Sequence, residues 1–561
     1  MKMQFSTGKH ISSACPKTGG SAGHKWRPRW LRWLFPITGL LALIWFLVRV
    51  IPKPWRATYP CQRVAFLVAS SFVVWLIGMI GSMVAFRKAK HYFVRSRYVV
   101  GALCIAVGIG AALIAISGGG ERRALADDPI PNDPIGVARG VHPGRVVWLH
   151  DPNATDWDGP GMGDGHWWER GNTDMAVVDQ MMSRGIFALA GESGSTEAWD
   201  KIFRHFNQTQ GKGDFGYRVG EKITIKVNLV GCIGVSGWGG VDPNNYDLVD
   251  NMDYMNTSPQ MMLALLRELV YKVGVNQADI AIGDTLCYFP NQYYEMLHDE
   301  FPDVRYLDYE GKFGRTGVQQ SSLPLYWSSH PSVSYQDYVP VSYAEADYII
   351  NMANFKSHSS AAVTFCGKNY YGSLVRWPAQ SGYYDLHNDL PSNRDGMGHY
   401  RPLVDLMGHG HIGGKTMLYL IDGLYAGHHP YDDAPTKLNS APFNGDWSSS
   451  LFVSQDPVAI DSVAFDFLWA EPGWGVDTHM AGGDDYLHEA ALVDNPPSGT
   501  FYDPDHSGDV TRLASLGVHE HWNNPKDKQY SRNLGTGDGI ELISLQLEPN
   551  ISVSSSGGGG G

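Results

Sequence analysis

Between Asn351 and Gly372 the chain reads NMANFKSHSSAAVTFCGKNYYG, and fourteen consecutive positions within it carry Lys356, His358, Thr364, Cys366, Lys368 and Asn369. An imidazole among amines can move protons, and together with carboxylates it can hold a divalent metal ion. A thiol beside lysines can act as a nucleophile or a soft ligand. Carboxylates and amides of the right kind recur elsewhere in the chain. Asn228, Asp284 and Asp422 each stand at or just past the carboxyl end of an apolar run, as Lys356 and His358 do. If those runs are neighbouring parallel strands, their ends share one edge and the polar tips face one crevice. On this reading Asp284, His358 and Asp422 are the candidate metal ligands, with the Cys366 thiol as a further donor. Lys356, His358, Lys368 and Asp461 are the candidate acid–base groups. Asn228, Asn369 and Thr364 would orient substrate oxygens.

The elements that must position these residues alternate between strand and helix. Strands are expected at Arg145–His150, Lys222–Asn228, Asp279–Asp284, Val304–Leu307, Ala346–Met352, Met417–Asp422 and Ser450–Ser454. Helices are expected at Asp174–Leu189, Thr196–Phe206, Pro259–Val273, Asn291–Glu300 and Ala459–Leu468. Alternation of this kind predicts an α/β fold with a mostly parallel sheet and helices on both faces. Asp456 before Pro457 reads as a helix N-cap with proline at the first helical position, and Asp461 falls near the first turn of that helix.

Three pieces together carry a resemblance. Lys356-Ser-His358, Thr364 and Gly367-Lys368-Asn369-Tyr-Tyr-Gly372 form the first, Leu420-Ile-Asp422-Gly423-Leu-Tyr the second, and Ser454-Gln-Asp456-Pro457-Val-Ala-Ile-Asp461-Ser-Val-Ala the third. In content and order they resemble the domain-of-unknown-function 362 family over roughly Pro143 to Leu547. The family name implies no activity. Some relatives carry ferredoxin-like cysteine motifs, but this chain has no CxxC, so no iron–sulfur cluster is expected.

Charge divides the chain. Residues 1–120 hold 16 Lys and Arg and no Asp or Glu, so the remaining 441 residues carry 28 basic against 57 acidic side chains. A body so acidic is poorly suited to releasing phosphate counterions, and nucleic-acid binding is not expected. The basic segment contains the apolar runs Leu34–Val48, Val64–Phe86 and Tyr98–Ser117, of which the last two, at 23 and 20 residues, reach membrane-spanning length. These predict a basic leader over residues 1–32, an all-α anchor of three transmembrane helices over 33–120, a linker over 121–142, an α/β domain over 143–550 and a Gly/Ser tail over 551–561. Basic residues near the spans favour an inside amino terminus, which would make the protein multi-pass in the bilayer with its large domain outside the cytoplasm. Cys232, Cys287 and Cys366 in the outer domain are an odd number and form no disulfide framework.

Other motifs are weaker. Gly413-Gly-Lys415-Thr416 resembles a phosphate loop, but it precedes a strand and His409 occupies the first glycine position, so no nucleotide is expected. His409-Gly-His411 and His519-Glu-His521 could chelate a metal if held on extended segments, although each such pair alone is more often a surface or turn feature. No HExxH or GxSxG occurs. The expected function is therefore a metal-dependent enzyme acting on a small polar or anionic substrate. The alternative is a membrane-attached subunit that binds a partner protein or glycan.

Overall fold

The computed structural model describes residues 130–546, apart from 235–239, 250–252, 395, 429–433, 475–479, 481 and 507–511, together with scattered residues between 40 and 100. Met1–Asp127 and Asp128–Gly561 form separate units, and the sheet lies in the second. Its strands are β1 (Arg145–His150), β2 (Ile223–Val227), β3 (Ile280–Gly283), β4 (Arg305–Asp308), β5 (Thr316–Gly317), β6 (Tyr348–His358), β7 (Ala362–Val363), β8 (Thr416–Gly427), β9 (Ser450–Ser454) and β10 (Glu541–Gln546). They lie in the order β10-β1-β9-β8-β6-β2-β3-β4-β5, with β7 folded back on β6.

The α/β character is observed, but the sheet is mixed where the sequence pattern predicts a mostly parallel one. β9 runs antiparallel to both β8 and β1, with Tyr419 opposite Ser454 and Phe452 opposite Trp148. A parallel return needs a crossover of a dozen or more residues, usually a helix. Among the described residues no helix separates β8 from β9. β1, β8, β6, β2, β3 and β4 share one direction, so their carboxyl ends lie along one edge.

Helices cover both faces. α1 (Met175–Ala190), α2 (Ser195–Thr209), α3 (Pro259–Arg267) and α4 (Asn291–His298) place Met181, Trp199, Leu265 and Leu297 against Ile225, Ile350 and Leu420. On the other face a short helix α5 (Cys366–Asn369), α6 (Pro457–Trp469) and α7 (Asp485–Ala491) bring Cys366, Val463 and Leu487 against Ile349, Ile421 and Phe452. Each fully buried leucine or valine here contributes about 1.5–3 kcal/mol. The expected cap at Asp456 is present: its Oδ1 accepts from Val458 N at 3.1 Å and Ala459 N at 2.9 Å.

Two local differences bear on function. β6 continues through His358, so the reactive stretch begins inside a strand and turns only after it, because pairing with β8 and then β7 satisfies its backbone that far. Residues 131–136, expected as linker, pair with 518–521: Ile135 lies opposite His519 and Pro131 bridges His521.

Among the described residues no helix is long and apolar enough to cross a membrane. The longest of them, α1, has 16 residues. At 1.5 Å per residue that is about 24 Å, short of a hydrocarbon core of about 30 Å. The expected three-helix anchor is thus not supported. Nor are the bilayer contact, multi-pass topology and placement outside the cytoplasm that followed from it. Most of Leu34–Val48, Val64–Phe86 and Tyr98–Ser117 lies outside the described residues, as does the 551–561 tail.

Candidate functional site

At the carboxyl edge of the sheet a cavity of about 380 Å³ is lined by Asn228, Asp284, His358, Lys368, Asn369, Tyr371, Trp377 and His387, among others. β2 delivers Asn228, β3 delivers Asp284 and β6 delivers His358. Lys368 and Asn369 come from α5. A larger cavity, about 480 Å³, opens near Arg139, His205, Gly413 and Gln455. It sits at the opposite edge, where β8 begins, and does not receive these side chains.

Behind the cavity floor runs a buried polar chain. Lys226 Nζ donates to Asp284 Oδ2 at 3.0 Å and to Asn369 Oδ1 at 3.0 Å. Asn228 Nδ2 reaches the same Asn369 oxygen at 3.3 Å, and Lys356 Nζ donates to Asn228 Oδ1 at 3.0 Å. Asp284 also accepts from the amides of Leu229 and Leu286, at 3.3 and 3.2 Å. Asn369 Nδ2 is held by Asn351 Oδ1 at 2.8 Å. With Lys226 paired to Asp284 and the amides hydrogen-bonded, such a network fixes geometry at the site rather than adding net stability. Gly372 is packed against it: a Cβ there would stand 2.6 Å from Asp284 Oδ1 and 2.7 Å from Lys226 Nζ.

Lys368 is placed differently. Its Nζ lies 3.9 Å from the centre of the Tyr371 ring. Among the described residues it has no hydrogen-bond or ion-pair partner. Burial, helped by the nearby Lys226 charge and opposed by Asp284, lowers its pKa from 10.5 to about 7. Asp461 positions it from behind, accepting from Cys366 N at 2.9 Å, Gly367 N at 2.8 Å and the Tyr486 hydroxyl at 2.8 Å. That carboxyl is fully buried, and burial raises its pKa to about 6.

His358 turns Nδ1 toward the backbone, where it accepts from Ser360 N at 3.0 Å and Ala361 N at 3.1 Å. The neutral ring then carries its proton on Nε2. His387 Nδ1 lies 2.9 Å from Asp385 Oδ1. Burial lowers the His387 pKa, as does the Lys368 charge, while Asp385 opposes both.

Residues 243–466 match the family model described as Domain of unknown function (DUF362). That segment is a DUF362 domain. No curated protein and no solved structure matches it. The DUF362 match includes Asp284, His358, Lys368, Asn369, Tyr371, Trp377 and His387 of the cavity lining, while Asn228 and the Lys226 behind it precede the match.

Of the residues singled out from the sequence, the cavity collects Asn228, Asp284, His358, Lys368 and Asn369. Lys356 and Asp461 lie one shell behind. Thr364 and Cys366 are buried away from it, and burial pushes the Cys366 thiol well above its usual pKa. Asp422 does not reach the cavity. It points to the face under α3, where it accepts from Ser258 N at 2.6 Å and Leu424 N at 3.1 Å, and so anchors the start of that helix. Among the described residues, ligand atoms converge at Asp484, His519 and His521 and not at Asp284, His358 and Asp422.

Sequence reasoning missed Lys226, Tyr371 as the partner of Lys368, and the Asp385–His387 pair in DUF362. Lys226 had a signal, since a lysine inside the apolar run Ile-Thr-Ile-Lys-Val must find a buried partner. The Asp385 and His387 pairing had only an i, i+2 spacing.

Proposed function

We propose that this cavity is the active site of an enzyme that moves a proton on a small anionic or polar substrate, with Lys368 as the acid–base group. The placement of the Lys368 amine carries the reading: it faces the cavity over an aromatic ring, with no carboxylate pairing it among the described residues. Its pKa of about 7 suits it to both accept and return a proton near neutrality. The surrounding groups favour a substrate oxygen bearing negative charge. The Asn228 amide offers a hydrogen and Lys368, when protonated, a positive charge, while the Asp284 carboxylate is already engaged by Lys226. His387, oriented by Asp385, supplies a second proton carrier on the same cavity.

The test is a panel of small carboxylates, oxo acids and phosphates, screened by thermal shift on the full chain. Each stabilising compound is then incubated in D2O and followed by proton NMR. Exchange of a carbon-bound proton that is lost in Lys368→Gln, with ligand stabilisation retained, is expected. Ligand binding with no exchange and no effect of Lys368→Gln on any turnover would make the cavity a binding site without catalysis.

A further inference from the structure

A second cluster lies between α6, α7 and the short strand Val518–His519. His519 pairs with Ile135 and His521 bridges Pro131, so the HxH segment is extended. Extended backbone sends alternate side chains the same way. His519 and His521 therefore share one side, while Glu520 points opposite and accepts from Ile540 N at 2.8 Å and Ser531 Oγ at 3.0 Å. The two imidazoles face Asp484, just before α7. One ligand atom from each of Asp484, His519 and His521 lies within 4.8 Å of the others.

The outer contacts fix the tautomers. Ser462 Oγ donates to Val458 O at 2.7 Å, so in its 2.8 Å contact with His519 Nδ1 the hydroxyl is the acceptor. His519 thus carries its proton on Nδ1 and turns the Nε2 lone pair inward. His521 Nδ1 donates to Asp466 Oδ1 at 2.6 Å, and Asp466 is itself held by Trp522 N and Tyr530 OH, both at 2.9 Å. Ser462 and Asp466, four residues apart on α6, form one face that orients both rings. Among the described residues His521 Nε2 has no hydrogen-bond partner although the residue is only 5% exposed. Its distance to Asp484 Oδ2, 3.8 Å, is too long for a hydrogen bond.

We infer that Asp484, His519 and His521 form a binding site for a divalent transition-metal ion such as Zn²⁺. Two buried imidazoles and a carboxylate aimed at one point can hold a cation between them, and nitrogen donors select zinc-like ions over Mg²⁺ or Ca²⁺. A carboxylate and a hydroxyl on the far nitrogens of the rings are the outer contacts that metal-bound histidines use. Asp484 is the most accessible of the three, with its side chain 23% exposed, and gives the ion its route in. The site is separate from the Lys368 cavity and does not depend on that reading.

The test is metal binding by the chelator-treated full chain, using Zn²⁺ and Co²⁺ with Mg²⁺ as control. One equivalent of Zn²⁺, a rise in unfolding temperature on adding it, and a visible Co²⁺ spectrum displaced by Zn²⁺ are expected. Asp484→Asn should weaken Zn²⁺ at least about 10-fold, and Lys368→Gln should bind as the parent does. If Asp484→Asn fails to fold, the parent's Co²⁺ spectrum and its displacement decide. No stoichiometric Zn²⁺, or zinc held equally by folded Asp484→Asn, would overturn the site and leave a proton between His521 and Asp484.

Discussion

The Lys226 ammonium and the Asp284 carboxylate lie 3.0 Å apart, with side chains 0% and 4% exposed. A pair this deep, at the floor of a cavity, makes each partner the other's condition for being buried. Removing one leaves an uncompensated charge, at a cost of about 3–5 kcal/mol. Asp284→Ala is expected to lose that much stability in urea titration of the full chain, whereas a loss under about 1 kcal/mol would mean the charge finds water.

Gly372→Ala probes the same pair without changing its charge. The added methyl would stand 2.6 Å from Asp284 Oδ1 and 2.7 Å from Lys226 Nζ, and neither atom can retreat without giving up its partner. Overpacking of this kind costs about 1–3 kcal/mol. Unfolding of Gly372→Ala indistinguishable from the parent would show that the pair has room to move.

Asp422 is expected to matter for stability and not for the chemistry. Its carboxylate holds the Ser258 and Leu424 amides, and burial raises its pKa. Asp422→Ala leaves two buried amides unpaired, at about 1–3 kcal/mol each. The variant should unfold earlier yet keep the parent's pH profile for Lys368 modification, and a shifted profile would return Asp422 to the cavity.

The pKa of Lys368 also links stability to pH. Its folded value, about 7, lies below its ordinary 10.5, so the folded state releases this proton first. Between about pH 7 and 10.5 the unfolded chain binds more protons at this site, and its contribution to stability rises with pH; below 7 the buried charge is carried at full cost. Lys368→Met is therefore expected to stabilise the protein near pH 6, on the order of 1–2 kcal/mol given partial exposure, with the gain fading toward pH 10. A gain that did not change with pH would point to packing.

Much of this arrangement was legible because period and punctuation agree. Asn228, Asp284 and His358 follow apolar strands of one direction, and shared direction is what brings them to one edge. Asp422 belongs to the same edge by sequence, yet side-chain alternation sends it to the α3 face, and a strand's end cannot be told from its middle when β8 runs on to Gly427. The antiparallel β9 was hidden because a buried strand reads the same in either direction. Asp461 reads as a reactive carboxylate near a helix start, but its acceptors are spent on the Cys366 and Gly367 amides, a pairing across 95 positions that no local pattern announces. The expected membrane anchor rested on apolar length alone, and among the described residues no helix has that length.

The most direct test of Lys368 as the acid–base group is its own titration. The full chain is treated across pH 5 to 11 with a limiting amount of an amine-acylating reagent, and modification at Lys368 is read by peptide mass spectrometry against the surface lysines. A midpoint near pH 7 at Lys368, well below that of the surface lysines, is the expected result, with the midpoint displaced in Asp461→Ala because the Cys366 and Gly367 amides lose their anchor. A Lys368 midpoint near 10.5, in step with the surface lysines, would contradict the role assigned to it.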